Sequence, residues 1–212
     1  MLRNQHPAFR RVSFAMKQDQ VKELILQSLE HERGGVKIYE AALQCATQEE
    51  LQEEWKKYLE QTHTHVQALT AICSTLKLDP EEQTPGSRIV RKLGAALVAA
   101  MQEAKSGGDQ QAAQVVACEC VVLAETKDHL DWELIGEIAK ETKGSQHEAL
   151  TSAYEQIEDE EDEHLYHTRG WCRELWLESL GLKAVLPPPE ERRDVKTAIG
   201  AARAQQERGK MR

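Results

Sequence analysis

The sequence predicts an all-α protein: an antiparallel four-helix bundle with a long crossover between helices 2 and 3 containing a short helix. Three observations lead there. Only 5% of the 212 residues are aromatic, and the chain is rich in the helix formers Ala, Leu, Glu, Gln and Lys. Four long segments place apolar residues at alternating spacings of three and four, the mark of one buried stripe per helix. Short links join the first segment to the second and the third to the fourth. Some thirty residues separate the second from the third, enough to run back along the bundle.

Each element has its own signals. The first helix spans about Asp19 to Ala46, with Ile25, Leu29, Glu32, Val36, Tyr39, Leu43 and Ala46 in register. Thr47, with Glu50 three residues on, predicts a capping box that starts the second helix. That helix carries Leu51, Trp55, Tyr58, Thr62, His65, Leu69, Ile72 and Leu76 on its stripe, and Asp79-Pro80 stops it. The connector opens with "DPEEQTPGS", holds a helix from about Arg88 to Lys105 and closes at "SGGD". The third helix runs from about Gln110 to Glu141 through Val115, Cys118, Val122, Glu125, His129, Trp132, Gly136 and Ala139. The fourth runs from about Gln146 to Leu180 through Leu150, Tyr154, Ile157, Glu161, His164, Thr168, Trp171 and Leu175, with Gly181 placed to cap it. The chain thus divides into a basic N-terminal arm (1–18), the bundle (19–181), and a Pro-containing linker with a basic C-terminal tail (182–212). A weak peripheral helix is expected at 194–208.

Composition narrows the function. No apolar run reaches 18 residues, so no membrane span is expected, and no apolar core follows the N-terminal arginines to make a secretory signal. Residues 1–18 carry four basic residues and no acid, while 192–212 carry seven basic and two acidic ones. With a total of −9, the body between them holds −18. An acidic body suits cations rather than nucleic acid, and the basic ends are expected to be solvated. Five cysteines without a CxxC pair point to a reducing, cytoplasmic setting, argue against a thiolate zinc knuckle and exclude a rubredoxin-type iron site.

The chemistry sits where polar residues interrupt the stripes. Residues 158–163 are six consecutive carboxylates, followed by His164 and His167. Only Glu161 and His164 fall on the stripe of that helix. Glu158, Asp159, Glu160, Asp162 and Glu163 lie off it, and His167 falls beside it, as an outer partner or a solvent-facing residue. The other helices contribute Glu32, then Thr62 and His65, then Glu125 and His129. No Lys or Arg lies on these stripes to neutralise the carboxylates. Burying an unpaired carboxylate costs several kcal/mol, and two divalent metal ions would compensate three carboxylates and three imidazoles directly. The candidate ligands are therefore Glu32, His65, Glu125, His129, Glu161 and His164. On the second helix, Glu60 and His63 also spell Glu-x-x-His and stand as the alternative to His65.

With Glu32, Glu125, Glu161 and His164 at these positions, the sequence resembles the ferritin-like superfamily, which places a Glu on the first and third helices and Glu-x-x-His on the second and fourth. The stretch "ELQEEWKKYLEQTHTHVQAL" (50–69) is similar to the second helix of YciE/YciF-type bacterial stress proteins, where a Gln stands at the place of His65. The resemblance covers about residues 20–180. It departs at Thr62, where ferritins and rubrerythrins have a Glu, and at His129, an additional candidate ligand.

What the resemblance implies is a stress-related, metal-binding protein with a di-metal site, di-iron first and manganese or a mixed pair as alternatives. Its chemistry would be that of a di-iron oxidase, peroxidase or ferroxidase, acting on dioxygen or peroxide with electrons from a separate donor or from the metal substrate. Trp176 and the C-terminal extension offer a homodimer interface. The rival reading is a structural or interaction bundle without redox chemistry, its inward polar residues forming a network or holding a structural ion.

Overall fold

The computed structural model describes residues 16–193 and 195–212, so residues 1–15 of the predicted basic arm lie outside the described part. The described residues form six helices and no strand: α1 (Gln18–Leu43), α2 (Glu49–Leu76), α3 (Pro85–Ser106), α4 (Gln110–Glu141), α5 (Gly144–Ser179) and α6 (Ala198–Lys210). α1 packs against α2, α3 and α4, and α5 packs against α4, α2 and α6. Among the described residues no helix is long and apolar enough to cross a membrane.

Local chemistry sets most of the helix ends. Asp109 accepts hydrogen bonds from the Gln111 and Ala112 amides to start α4. Thr84 accepts from Ser87 N, with Pro85 in the first helical position of α3. Gly181 takes a left-handed φ of 71°, letting its amide reach Glu178 O and the Leu182 amide reach Leu177 O, which closes α5. α2 stops at Leu76, before Asp79-Pro80, because Lys77 turns left-handed and the Leu78 amide returns to Cys73 O.

One expected cap is replaced by a tertiary contact. Thr47 does not form the capping box with Glu50; α2 begins after Gln48, whose side chain caps nothing. Instead the buried Gln114 Oε1 of α4 accepts from Thr47 N (2.5 Å), Thr47 Oγ1 (2.9 Å) and Gln48 N (2.9 Å). The α1–α2 link is thereby fastened to the start of α4.

The apolar core is divided. One cluster joins Ile38, Tyr39, Trp55, Tyr58, Met101, Val121, Trp171 and Leu175. The other joins Ile25, Leu29, Leu69, Ile72, Trp132, Ile135, Leu150 and Ile157. Trp55, Trp132 and Trp171 are each essentially fully buried. Each removes roughly 200 Å² from water, on the order of 5 kcal/mol before entropy is subtracted. Between the clusters, on α1, α2, α4 and α5 alike, lies a polar layer: Glu32, His65, Glu125, Glu161 and His164 all fall there. Along the chain, α1 and α5 pass from the second cluster through this layer to the first, while α2 and α4 pass the opposite way.

The C-terminal tail is docked rather than solvated. α6 packs on α5, and Arg208 is 0% exposed between Glu174 of α5, at 3.1 Å, and Glu190 of the linker. Glu174 also accepts from Val185 N at 2.7 Å and pairs with Arg212. A guanidinium finds two carboxylates here, and that charge match draws the tail back onto the helix. Trp176 stays 42% exposed, its indole nitrogen donating to Glu119.

Candidate metal centre

Two triads of potential ligand atoms occur in the polar layer. Glu32, His65 and Glu161 form one, and Glu125, Glu161 and His164 form the other, with the atoms of each triad within 4.8 Å of one another. All five residues are buried, and Glu161 belongs to both triads. α1, α2 and α4 supply one residue each. α5 supplies two, because Glu161 and His164 are three apart and share a face.

Outer partners fix how each side chain is presented. Trp132 Nε1 donates to Glu32 Oε1 at 2.8 Å, and Tyr39 OH donates to Glu125 Oε1 at 2.9 Å. The second oxygens, Glu32 Oε2 and Glu125 Oε2, are buried without a hydrogen-bond partner, as are both oxygens of Glu161. The histidines follow the same rule. His65 Nε2 lies 2.8 Å from Glu160 Oε2, and its Nδ1 faces Glu161 Oε1 at 2.9 Å and Glu32 Oε1 at 3.3 Å. These Nδ1 contacts are close, yet Nδ1 has no hydrogen-bond partner. His164 Nε2 lies 3.0 Å from Gln61 Oε1, and its Nδ1 sits 3.5 Å from both Glu125 Oε2 and Glu161 Oε1. A neutral imidazole that donates from Nε2 to an outer acceptor has its Nδ1 lone pair turned inward, the arrangement that orients metal-binding imidazoles.

The electrostatics have the character of a cation site. Burial pushes the Glu125 and Glu161 carboxyls far above the usual range. Burial also lowers His164 to about 4, so its imidazole is neutral at pH 7. For His65, burial opposes the charged form, but the nearby carboxylates of Glu32, Glu160 and Glu161 outweigh it and raise the pKa well above the ordinary value. Four carboxylate oxygens without donors, beside two inward nitrogens, fit a pair of divalent ions in number and kind.

No family model, no curated protein and no solved structure matches this chain.

The remaining candidates are placed elsewhere. His129 is outside both triads and its side chain is 20% exposed, with Nε2 2.5 Å from Asp162 Oδ1. It lines a cavity of about 240 Å³ that also touches Trp132, Glu133, Glu158, Asp162 and Glu161, so four carboxylates, the shared ligand candidate among them, border one space. Glu60 and His63 are exposed, whereas His65 is buried. Thr62 is buried too, but its hydroxyl donates to Tyr58 O in its own helix.

Sequence reasoning missed four groups. Asp128, not His129, is the buried residue one turn after Glu125. Its Oδ1 lacks a partner, and burial, then Glu161, raises its pKa well above the usual value. A stripe drawn 118–121–125–128–132 would have found it. Gln61 and Glu160 lie just off their stripes and carried no signal. His167, expected as an outer partner or a solvent-facing residue, is buried and joins a separate group with Glu54 and Glu191.

Proposed function

We propose that this chain is a ferritin-like, metal-binding protein with a di-metal site inside a four-helix bundle, iron first among the candidate metals, that reacts with dioxygen or peroxide. α1, α2, α4 and α5 would be the bundle and α3 the crossover. The opposite senses in which the four helices traverse the polar layer support this topology, since α2 and α4 run alike and need a return segment between them.

One observation carries the reading: Glu161 is shared by both triads, and neither of its buried oxygens has a hydrogen-bond partner. A carboxylate in that position can bridge two ions. Glu32 and Glu125 would each offer the oxygen left free by Trp132 and Tyr39, and His65 and His164 would each offer Nδ1 to a different ion. Reduced iron held there would supply electrons to dioxygen or peroxide. The chain's own part is to hold the ligands rigidly, keep bulk water out between two apolar clusters, and attract cations through Glu133, Glu158 and Asp162. Asp128, its pKa raised by burial and by Glu161, is a further buried carboxyl on α4. Five free thiols support a reducing, cytoplasmic setting, and a stress-related role goes with the resemblance to YciE/YciF-type proteins.

The test is to load the protein anaerobically with ferrous iron and then admit dioxygen or peroxide. The proposal expects oxidant consumption with a new near-ultraviolet band, both lost in Glu161→Ala. Tight metal binding with no oxidant consumption would instead favour a structural ion, the non-redox reading.

A further inference from the structure

Outside the buried centre, a second cavity of about 430 Å³ opens beside α2, α5 and the linker. Glutamates 50, 53, 54, 163 and 191 line it, against Lys57 and Arg192. Lys57 is already paired with Glu163 at 2.6 Å. Within the cavity, Glu54, His167 and Glu191 bring ligand atoms within 4.8 Å of one another. The His167 side chain is 4% exposed, and its Nδ1 lies 2.9 Å from Glu54 Oε1 and 3.8 Å from Glu191 Oε1.

Glu191 Oε1, the oxygen that faces His167 Nδ1, is buried without a hydrogen-bond partner, and the other ring nitrogen, Nε2, has none either. A His167–Glu54 pair through Nδ1 does not account for the Glu191 oxygen. An imidazole nitrogen donates one proton, to one acceptor, and Tyr58 OH already donates to Glu54 Oε1. Trp171 Nε1 donates to Glu54 Oε2 at 2.9 Å, so this carboxylate is oriented from outside as a ligand is. Glu191 arrives from the linker. The adjacent Glu190 is clamped by buried Arg208, and Glu191 N donates to Pro188 O at 3.0 Å.

We propose that Glu54, His167 and Glu191 form a second, mononuclear site for a divalent transition-metal cation. One nitrogen and two carboxylates suit such an ion, and their two charges match it. The site shares no ligand with the buried centre. Tyr58 is the wall between them, its hydroxyl on Glu54 and its ring centroid 4.1 Å from that of His164. The C-terminal segment thus acquires a purpose, since it completes a cation site that α2 and α5 leave unfinished.

The test uses Co²⁺ as the probe on full-length protein, with equilibrium dialysis and visible absorption on wild type, Glu191→Gln and Glu161→Ala. Glu191 lies outside every helix, so its substitution leaves the helical scaffold in place, which circular dichroism checks. Glu191→Gln is expected to lose one Co²⁺ step or weaken it about tenfold or more. Glu161→Ala is expected to keep that step. Unchanged Co²⁺ binding in Glu191→Gln overturns the site and leaves His167 as a structural ion pair. Loss of the same step in both variants overturns it as well, because the cluster would then not be separate from the buried centre.

Discussion

His65 is held from both sides of its ring: Nε2 stands 2.8 Å from Glu160 Oε2, and Nδ1 stands 2.9 Å from Glu161 Oε1. Two consecutive glutamates of α5 therefore grip one imidazole of α2, the outer one orienting it and the inner one receiving it. Glu160, its side chain 32% exposed, is thereby more than part of a solvated acidic run.

Glu160→Gln should weaken metal binding by about tenfold to a hundredfold while leaving helical content intact, the cost expected when an outer partner of a ligand histidine is altered. Competition against a chromophoric chelator reads it. An unchanged affinity would mean that Glu160 serves only the surface.

Metal binding should release protons. Burial lifts Glu161 to about 7 and Glu125 to about 8, so both carboxyls are largely protonated in metal-free protein below pH 7. Ligation needs their charged forms and a deprotonated His65, so apparent affinity should rise as pH increases from about 6 to 8. Calorimetry in buffers of different ionisation enthalpy counts the protons. A pH-independent affinity would contradict the assignment of these carboxylates as ligands.

The α6 clamp should loosen in acid. Burial works against the Glu174 charge, but the Val185 amide, Arg212 and Arg208 overcome it and hold its pKa below the ordinary value. A depressed carboxyl stabilises above its unfolded pKa, about 4.3, and that contribution is lost as pH falls through the folded value. Arg208→Ala should cost about 3–5 kcal/mol at pH 7, because it strands Glu174 and Glu190 without their buried partner. Denaturant unfolding of wild type and variant measures both effects; equal stability at pH 7 would contradict them.

Two glycines should respond in opposite ways. A Cβ on Gly136 would meet the Tyr154 ring at 2.7 Å, whereas a Cβ on Gly34 meets nothing within 4 Å. Gly34→Ala should stabilise by about 0.5–1 kcal/mol through helix propensity. Gly136→Ala should destabilise, since overpacking of about 1–3 kcal/mol exceeds that gain. Thermal melts of the pair distinguish packing from propensity.

Much of this was legible because it is periodic or local. Asp109 and Gly181 announce helix ends in their own side chain or φ, and the stripes locate Glu32, His65, Glu125, Glu161 and His164 in the polar layer. The failures are tertiary. His129 and Asp128 are neighbours on a helix with an inner face wide enough for either register, and only packing against α1 and α5 selects Asp128. Thr47 had a local partner in Glu50 but found a buried amide on α4 that satisfies two backbone donors as well as its hydroxyl. Glu191 lies on a linker without periodicity, and nothing local could tell that Arg208 draws that linker back onto α5.

The central claim is that Glu161 is the shared ligand of two buried metal ions, and elemental analysis tests it most directly. Wild type and Glu161→Ala/His164→Ala would be loaded anaerobically with ferrous iron, desalted and compared, with circular dichroism confirming that both are folded. The account predicts that the wild type holds about two more ions per chain than the double variant. Equal metal content in the two proteins would contradict it and leave the inward carboxylates as a hydrogen-bonded network of the fold.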